Sequence, residues 1–384
     1  MTPEKALRLA EQLRGQYSPG LVAAALTQLS LRTAARDKFG LADDMFFTRA
    51  GLEQSSSEAV ARHSARRFAS LDLIADLCCG IGGDLVALAS AARRVLAVDA
   101  DLQTLRFAER NVAVLLPAAS VLFVCADVRD LTWAGDVQAV FIDPARRTSS
   151  RRLRAGDSQP PVDWCLALAD RVPRVCIKAA PGVPHELVPS GWELEFVATG
   201  RDLKEGLLWS PALATTTRRA TVLRSAVLRS GTADEGTAMA GAETMVAEPG
   251  AQVPVADPGQ YLLDPSPAVT RAGLVAELGQ QLGAWQIDPM IAFLSLDRPV
   301  STPFARTLHV LESMPWHERQ VAQRLRELGI GSADLRRRGL AGDVEQIRRR
   351  LGLSGDRTAT IVLTRHRDRP WCLICEAVPA ADER

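Results

Sequence analysis

Four short segments place residues that can do chemistry at the ends of apolar runs. They are Asp-Leu-Cys-Cys-Gly-Ile-Gly-Gly-Asp at 76–84, Val-Asp-Ala-Asp at 98–101, Cys-Ala-Asp at 125–127 and Phe-Ile-Asp-Pro-Ala-Arg-Arg at 141–147. Gly80, Gly82 and Gly83 permit a tight turn and close approach of the backbone to a ligand. Such a turn alone would suit a pyrophosphate. Here Asp76 precedes it and Asp84 follows it, and two carboxylates would repel a pyrophosphate. A ligand with a cationic end and no phosphate fits better. Asp99, 17 residues after Gly82, can accept both hydroxyl hydrogen bonds of a ribose. Asp127 can accept from an adenine amino group.

The elements that must position these groups follow from periodicity. Apolar runs at 71–77, 95–98, 121–125 and 139–142 predict buried parallel strands. Helices are expected over 84–92, 103–115 and 164–170. In an open α/β sheet, ligands bind outside the carboxyl ends of the strands, so the four segments describe one crevice. Its ligand is a nucleoside with a positive charge and no phosphate, which is S-adenosylmethionine. The four motifs, in this order, resemble those of the class I S-adenosylmethionine-dependent methyltransferases, with Cys78 where the usual first motif has glycine. The resemblance implies a Rossmann-like α/β sheet. It also implies a cofactor site made by Asp76, Cys78, Gly80, Ile81, Gly82, Asp99, Ala100, Asp127 and Val128.

Asp143-Pro144 falls where a methyl group should meet its acceptor. Asp143 can hold the amino end of the cofactor or orient the acceptor. Arg146 and Arg147 follow, and guanidinium groups bind phosphate bidentately or stack on a base. Lys178, in Cys176-Ile-Lys-Ala-Ala-Pro-Gly182, ends the next strand at the same edge. It can neutralise an acceptor anion, or be a surface lysine. Asp143, Arg146 and Lys178 are therefore the candidate catalytic residues. Cys176 is expected in the core rather than as a nucleophile, and Glu205 in a solvated turn. Cys372-Leu-Ile-Cys375 reads as packing, and no metal site is expected.

The remaining elements divide the chain. Residues 1–69 form a helical segment, with helices over 3–15 and 20–39. A capping box at Ser55-Ser-Ser-Glu58 opens another helix to Phe68. Residues 70–230 form the core and end in antiparallel strands. Residues 231–259 lack periodicity and read as a mobile loop or linker. Residues 260–285 connect through a helix to a small α/β module at 286–384. The whole chain resembles a bacterial family assigned to RNA methylation with a C-terminal THUMP-like domain. Met45-Phe-Phe-Thr-Arg-Ala-Gly-Leu-Glu-Gln54 and Tyr261-Leu-Leu-Asp-Pro-Ser-Pro-Ala-Val-Thr-Arg271 carry that resemblance with the terminal module. The core is also similar to trimethylguanosine synthase. Asp143-Pro-Ala-Arg146 lacks the proline pair and the aromatic residue of that enzyme's fourth motif.

Composition bounds the reading. The chain has 384 residues, 47% apolar and 24% charged, enough for two or three soluble domains. Net charge is +1, yet 42 of the 46 basic residues are Arg. Between Arg319 and Arg369 stand 13 Arg against 6 Asp plus Glu, with Arg336-Arg337-Arg338 and Arg348-Arg349-Arg350 supplying much of the excess. Such a face suits RNA; solvated charge is the simpler account. No apolar run is long enough to span a membrane, and seven Cys fit reduced thiols in a cytoplasm. The reading is a cytoplasmic S-adenosylmethionine-dependent methyltransferase acting on structured RNA. A small-molecule or protein methyltransferase, and an RNA-binding protein with a vestigial methyltransferase fold, are the alternatives.

Overall fold

Apolar runs pair side by side in the computed structural model of the chain, which describes residues 8, 11–132, 135–145, 147–148, 151–152, 158–224, 241–340 and 342–378. Two units result. The first comprises Met1–Thr199, Leu203–Thr217 and Leu223–Ala242; the second comprises Gly200–Asp202, Arg218–Val222 and Glu243–Arg384.

In the first unit the strands are β1 (Leu73–Leu77), β2 (Arg94–Asp99), β3 (Ser120–Cys125), β4 (Ala139–Ile142), β5 (Arg174–Ala179), β6 (Glu193–Thr199) and β7 (Asp202–Trp209). Their order in the sheet is β6-β7-β5-β4-β1-β2-β3. The strands β1 to β5 run parallel to their neighbours, and β7 lies antiparallel to β5. The central strands are apolar on both faces because both are covered: Ile74, Leu77, Val95, Val98, Val140 and Phe141 are buried. The reversal of strand order beside β1 creates the crevice at which such sheets bind ligands.

The helices are α1 (Pro19–Ala35), α2 (Arg49–Gln54), α3 (Glu58–Ala65), α4 (Gly83–Ala91), α5 (Leu102–Leu115) and α6 (Val162–Ala167). Sequence accounts for their starts. Ser18 accepts from Leu21 N with Pro19 in the first turn, Thr48 accepts from Gly51 N, and Asp101 accepts from Gln103 N and Thr104 N. The expected capping box is not formed. Ser57 makes no side-chain cap bond, and the Glu58 carboxylate instead receives Gly40 N–H at 2.8 Å. After α3, Phe68 packs fully buried between Phe141 and Trp209, with ring centroids at 6.2 and 6.0 Å. Arg67 meets the buried Glu193 at 2.6 Å. The helical segment is thereby fastened to the sheet.

The second unit has its own sheet. Its strands are β8 (Tyr261–Pro265), β9 (Trp285–Gln286), β10 (Leu294–Leu296), β11 (Ala305–Pro315), β12 (Ile330–Arg337), β13 (Arg357–His366) and β14 (Arg369–Ala377), in the order β9-β10-β8-β11-β14-β13-β12. Its helices are α7 (Pro267–Ala272), α8 (Val275–Leu282), α9 (Glu318–Glu327) and α10 (Val344–Leu351). Val321, Leu325 and Leu351 from α9 and α10 pack with Leu363 and Ile374 of the sheet, while Leu262, Phe293, Val362 and Leu373 form a separate cluster. The helix expected after residue 271 is α8, which ends at Leu282; the short α7 before it stops at Gly273, φ +68°. Two expectations change. Residues 260–285 are not a connector, because β8 is an inner strand of this sheet. The stretch read as a structureless linker contains a strand, Ala242–Val246; its part 231–240 lies outside the described residues.

Candidate functional site

The glycine turn after β1 is held in left-handed backbone. Cys78 has φ +60°, Gly80 +57° and Gly82 +89°. A Cβ on Gly82 would meet Ala108 Cα of α5 at 3.3 Å, whereas one on Gly80 would meet nothing within 4 Å. Gly82 is therefore fixed by helix packing, and Gly80 leaves room beside the crevice. Cys78 adopts the left-handed conformation without glycine's freedom, which costs roughly 1 kcal/mol. Burial pushes its thiol pKa up, which favours the neutral thiol.

Asp99, at the carboxyl end of β2, fastens this turn. Its Oδ2 accepts Gly80 N–H at 2.9 Å and its Oδ1 accepts Asp101 N–H at 2.9 Å. Ala100 follows in the open, and Val128 is buried after β3. Asp127 is turned into a local clasp. Arg129 donates to both its oxygens, with the nearest contact at 2.5 Å, and the carboxyl pKa falls to about 2. The carboxylate expected to meet an adenine amino group is thus already engaged by a guanidinium.

Asp76 supplies the clearest test of fit for S-adenosylmethionine. It is 1% exposed, and neither carboxylate oxygen has a hydrogen-bond partner among the described residues. Burial, then the neighbouring Asp84 and Asp143, raise its pKa well above the usual carboxylate range. A sealed, unpaired carboxylate needs a proton or a cationic partner. The ammonium and sulfonium of S-adenosylmethionine are cationic groups of the required kind.

Lys178 organises the other acids. It is 2% exposed, and its Nζ donates to Asp143 Oδ2 at 2.5 Å and Asp84 Oδ2 at 2.9 Å. Glu205 Oε2 lies 3.9 Å away. Burial alone would lower the Lys178 pKa; the Asp143, Asp84 and Glu205 carboxylates outweigh it and hold the ammonium charged. The sequence reading aimed Lys178 at an acceptor anion or at solvent. The structure aims it at carboxylates. Glu205 is likewise no solvated turn residue: it sits buried in β7, accepting from Ser56 Oγ at 3.0 Å and Ser64 Oγ at 3.4 Å. Burial raises its pKa first, and the balance of Lys178, Asp84 and Asp143 leaves it at about 7. Arg146 lies outside the described residues. Cys176 is fully buried with its thiol pKa raised by burial, and Cys372 and Cys375 are buried in β14.

Sequence reasoning missed Asn111. On α5 it is fully buried, accepts Phe46 N–H at 2.7 Å and donates to Phe46 O at 3.0 Å and Ile81 O at 2.9 Å. It ties the aromatic segment before α2 to the glycine turn. Ile81 packs in the same cluster as Leu31, Phe39, Phe47 and Leu52. Its only signal was a lone polar residue on the apolar face of a helix.

A crevice at the carboxyl ends of a parallel sheet, a left-handed glycine turn and an acidic residue ending the second strand together define a class I S-adenosylmethionine-dependent methyltransferase. Comparisons agree. Residues 71–148 match the family model for RNA cap guanine-N2 methyltransferase, residues 305–377 the model for a THUMP domain-like region, and residues 1–35 a domain of unknown function. Uncharacterized S-adenosylmethionine-dependent methyltransferases from two strains of Mycobacterium tuberculosis are 36% identical over 365 residues, covering 91% of this chain and 94% of theirs. The chain belongs to their family. A crystal structure from Porphyromonas gingivalis W83, assigned as a methyltransferase, shares the fold over 99% of this chain and 100% of its own, with a TM-score of 0.75 at 19% identity. Among the described residues, no helix is long and apolar enough to cross a membrane.

Proposed function

We propose that this methyltransferase acts in the cytoplasm on a nucleotide within structured RNA, and that Asp143 with Lys178 forms the acceptor side of the pocket. The observation that carries the reading is the union in one chain of a region matching an RNA cap guanine-N2 methyltransferase with a THUMP domain-like region. The arginine excess of the terminal module supports it.

Bound S-adenosylmethionine supplies an electrophilic methyl group. Asp76 and Asp99 hold its amino-acid and ribose ends, and Gly80 and Gly82 let the backbone come close. Asp143, whose side chain is 24% exposed, accepts a hydrogen bond from the acceptor and aims its lone pair. Lys178 is a positioning residue: by pairing with Asp143 it holds that carboxylate in place. Arg146, from the adjoining segment, would grip the acceptor by phosphate or base. Position and orientation supply the rate, since an in-line transfer gains most from a fixed near-attack geometry.

The test is transfer of labelled methyl groups to RNA from a strain lacking the gene, with mass spectrometry of its nucleosides. A methylated nucleoside absent from the deletion strain and restored by the purified protein supports the reading. Label appearing only in protein or small molecules overturns it.

A further inference from the structure

Guanidinium groups outnumber the acids that face them at one place in the second unit. Arg201 and Arg338 both pair with Asp264, at 2.5 and 2.9 Å. Arg306 and Arg336 both pair with Asp334, at 3.5 and 2.9 Å. The two pairs are neighbours, because Asp264 on β8 and Arg306 on β11 are register partners. The sheet curls enough for Arg306 to reach Asp334 on β12, three strands along. Among the described residues, these four cations thus share two anions.

Arg338 donates to Ala292 O at 3.3 Å and lies over the Phe293 ring at 4.7 Å. Arg306 Nε and Nη2 are buried without a hydrogen-bond partner among the described residues. Burial, then repulsion from Arg201, lowers the Arg306 pKa. The four side chains nevertheless keep 26 to 41% of their surface open to solvent. Preset, part-desolvated and under-neutralised guanidinium forks favour an added anion, and their planar donors match the oxygens of a phosphodiester.

We propose that Arg201, Arg306, Arg336 and Arg338 form a phosphate-binding site that grips the RNA backbone, a proposal that rests on the RNA reading above. Asp334 is its internal competitor, occupying two of the forks until phosphate arrives. Arg338 also belongs to the fold, so removing it would confound a binding test; Arg336 and Asp334 are the informative positions.

The experiment is a titration of a fluorescein-labelled RNA hairpin, followed by anisotropy across a salt series, with the full chain. Arg336→Ala should weaken binding and flatten the dependence of log affinity on log salt by roughly one. Asp334→Asn should do the opposite and tighten binding, which no misfolded variant would do. Affinity for S-adenosylhomocysteine should stay the same in both. Wild-type protein that binds the hairpin while both variants match it in affinity and slope overturns this site and leaves the RNA reading standing. Wild-type protein that fails to bind the hairpin at low salt overturns both.

Discussion

Lys178 Nζ stands 2.5 Å from Asp143 Oδ2 and 2.9 Å from Asp84 Oδ2, so one buried ammonium joins the end of β4 to the helix that opens after the glycine turn. Removing one partner of a buried ion pair leaves uncompensated charge, at about 3–5 kcal/mol. Lys178→Met should lose stability of that order in urea unfolding. Asp143→Asn keeps the shape and should lose turnover about 100-fold while binding S-adenosylhomocysteine with nearly unchanged affinity. A Lys178→Met variant as stable as wild type would show that the acids are relieved by something else.

The acid cluster also sets a pH dependence. Glu205 has a folded pKa of about 7 against an ordinary 4.5. The folded state therefore binds more protons than the unfolded chain between those values, and stability falls as pH rises through that window. Asp76, also raised, acts in the same direction. Glu205→Gln should flatten the fall between about pH 4.5 and 7 in chemical denaturation. An unchanged slope would place the titrating group elsewhere.

Asp99 is expected to serve twice, for the ribose and for the turn. Asp99→Ala should cost on the order of 2–3 kcal/mol of S-adenosylhomocysteine binding by calorimetry, with part of the loss arising from the freed Gly80 N–H. Full affinity in a folded variant would remove Asp99 from the cofactor site.

Cys78 offers a prediction of the opposite sign. Its φ of +60° is natural for glycine, so Cys78→Gly should raise stability by about 1 kcal/mol, less the lost side-chain packing, and retain cofactor binding. A destabilised variant would mean that the thiol's packing outweighs its backbone strain.

The strands and the glycine turn were readable because their signals are local: an apolar run ends, then glycine and aspartate follow. The residues that give the site its charge balance were not. Glu205 looked like a turn carboxylate until Ser56 and Ser64, which precede it by 149 and 141 positions, came to lie beside it. Lys178 looked free because nothing in Cys-Ile-Lys-Ala announces three acids arriving from α4, β4 and β7. Asn111 was visible as a letter, but its meaning depends on what packs opposite it. In the second unit the gathering of Arg201 with Arg306 and Arg338 is a product of sheet curvature. Arg146 lies outside the described residues.

The union of Ile81 with the helical layer has a consequence for how this enzyme can be inherited. The glycine turn is plugged by its own isoleucine into a core built from Leu31, Phe39, Phe47 and Leu52, and Asn111 pins both sides. A cofactor held at that turn would make ligand binding and helix docking linked equilibria, each strengthening the other by the same free energy. Residues 31–52 and the sheet are consequently a single heritable piece: recombination that exchanged one without the other would deliver a sheet whose glycine turn has lost its socket.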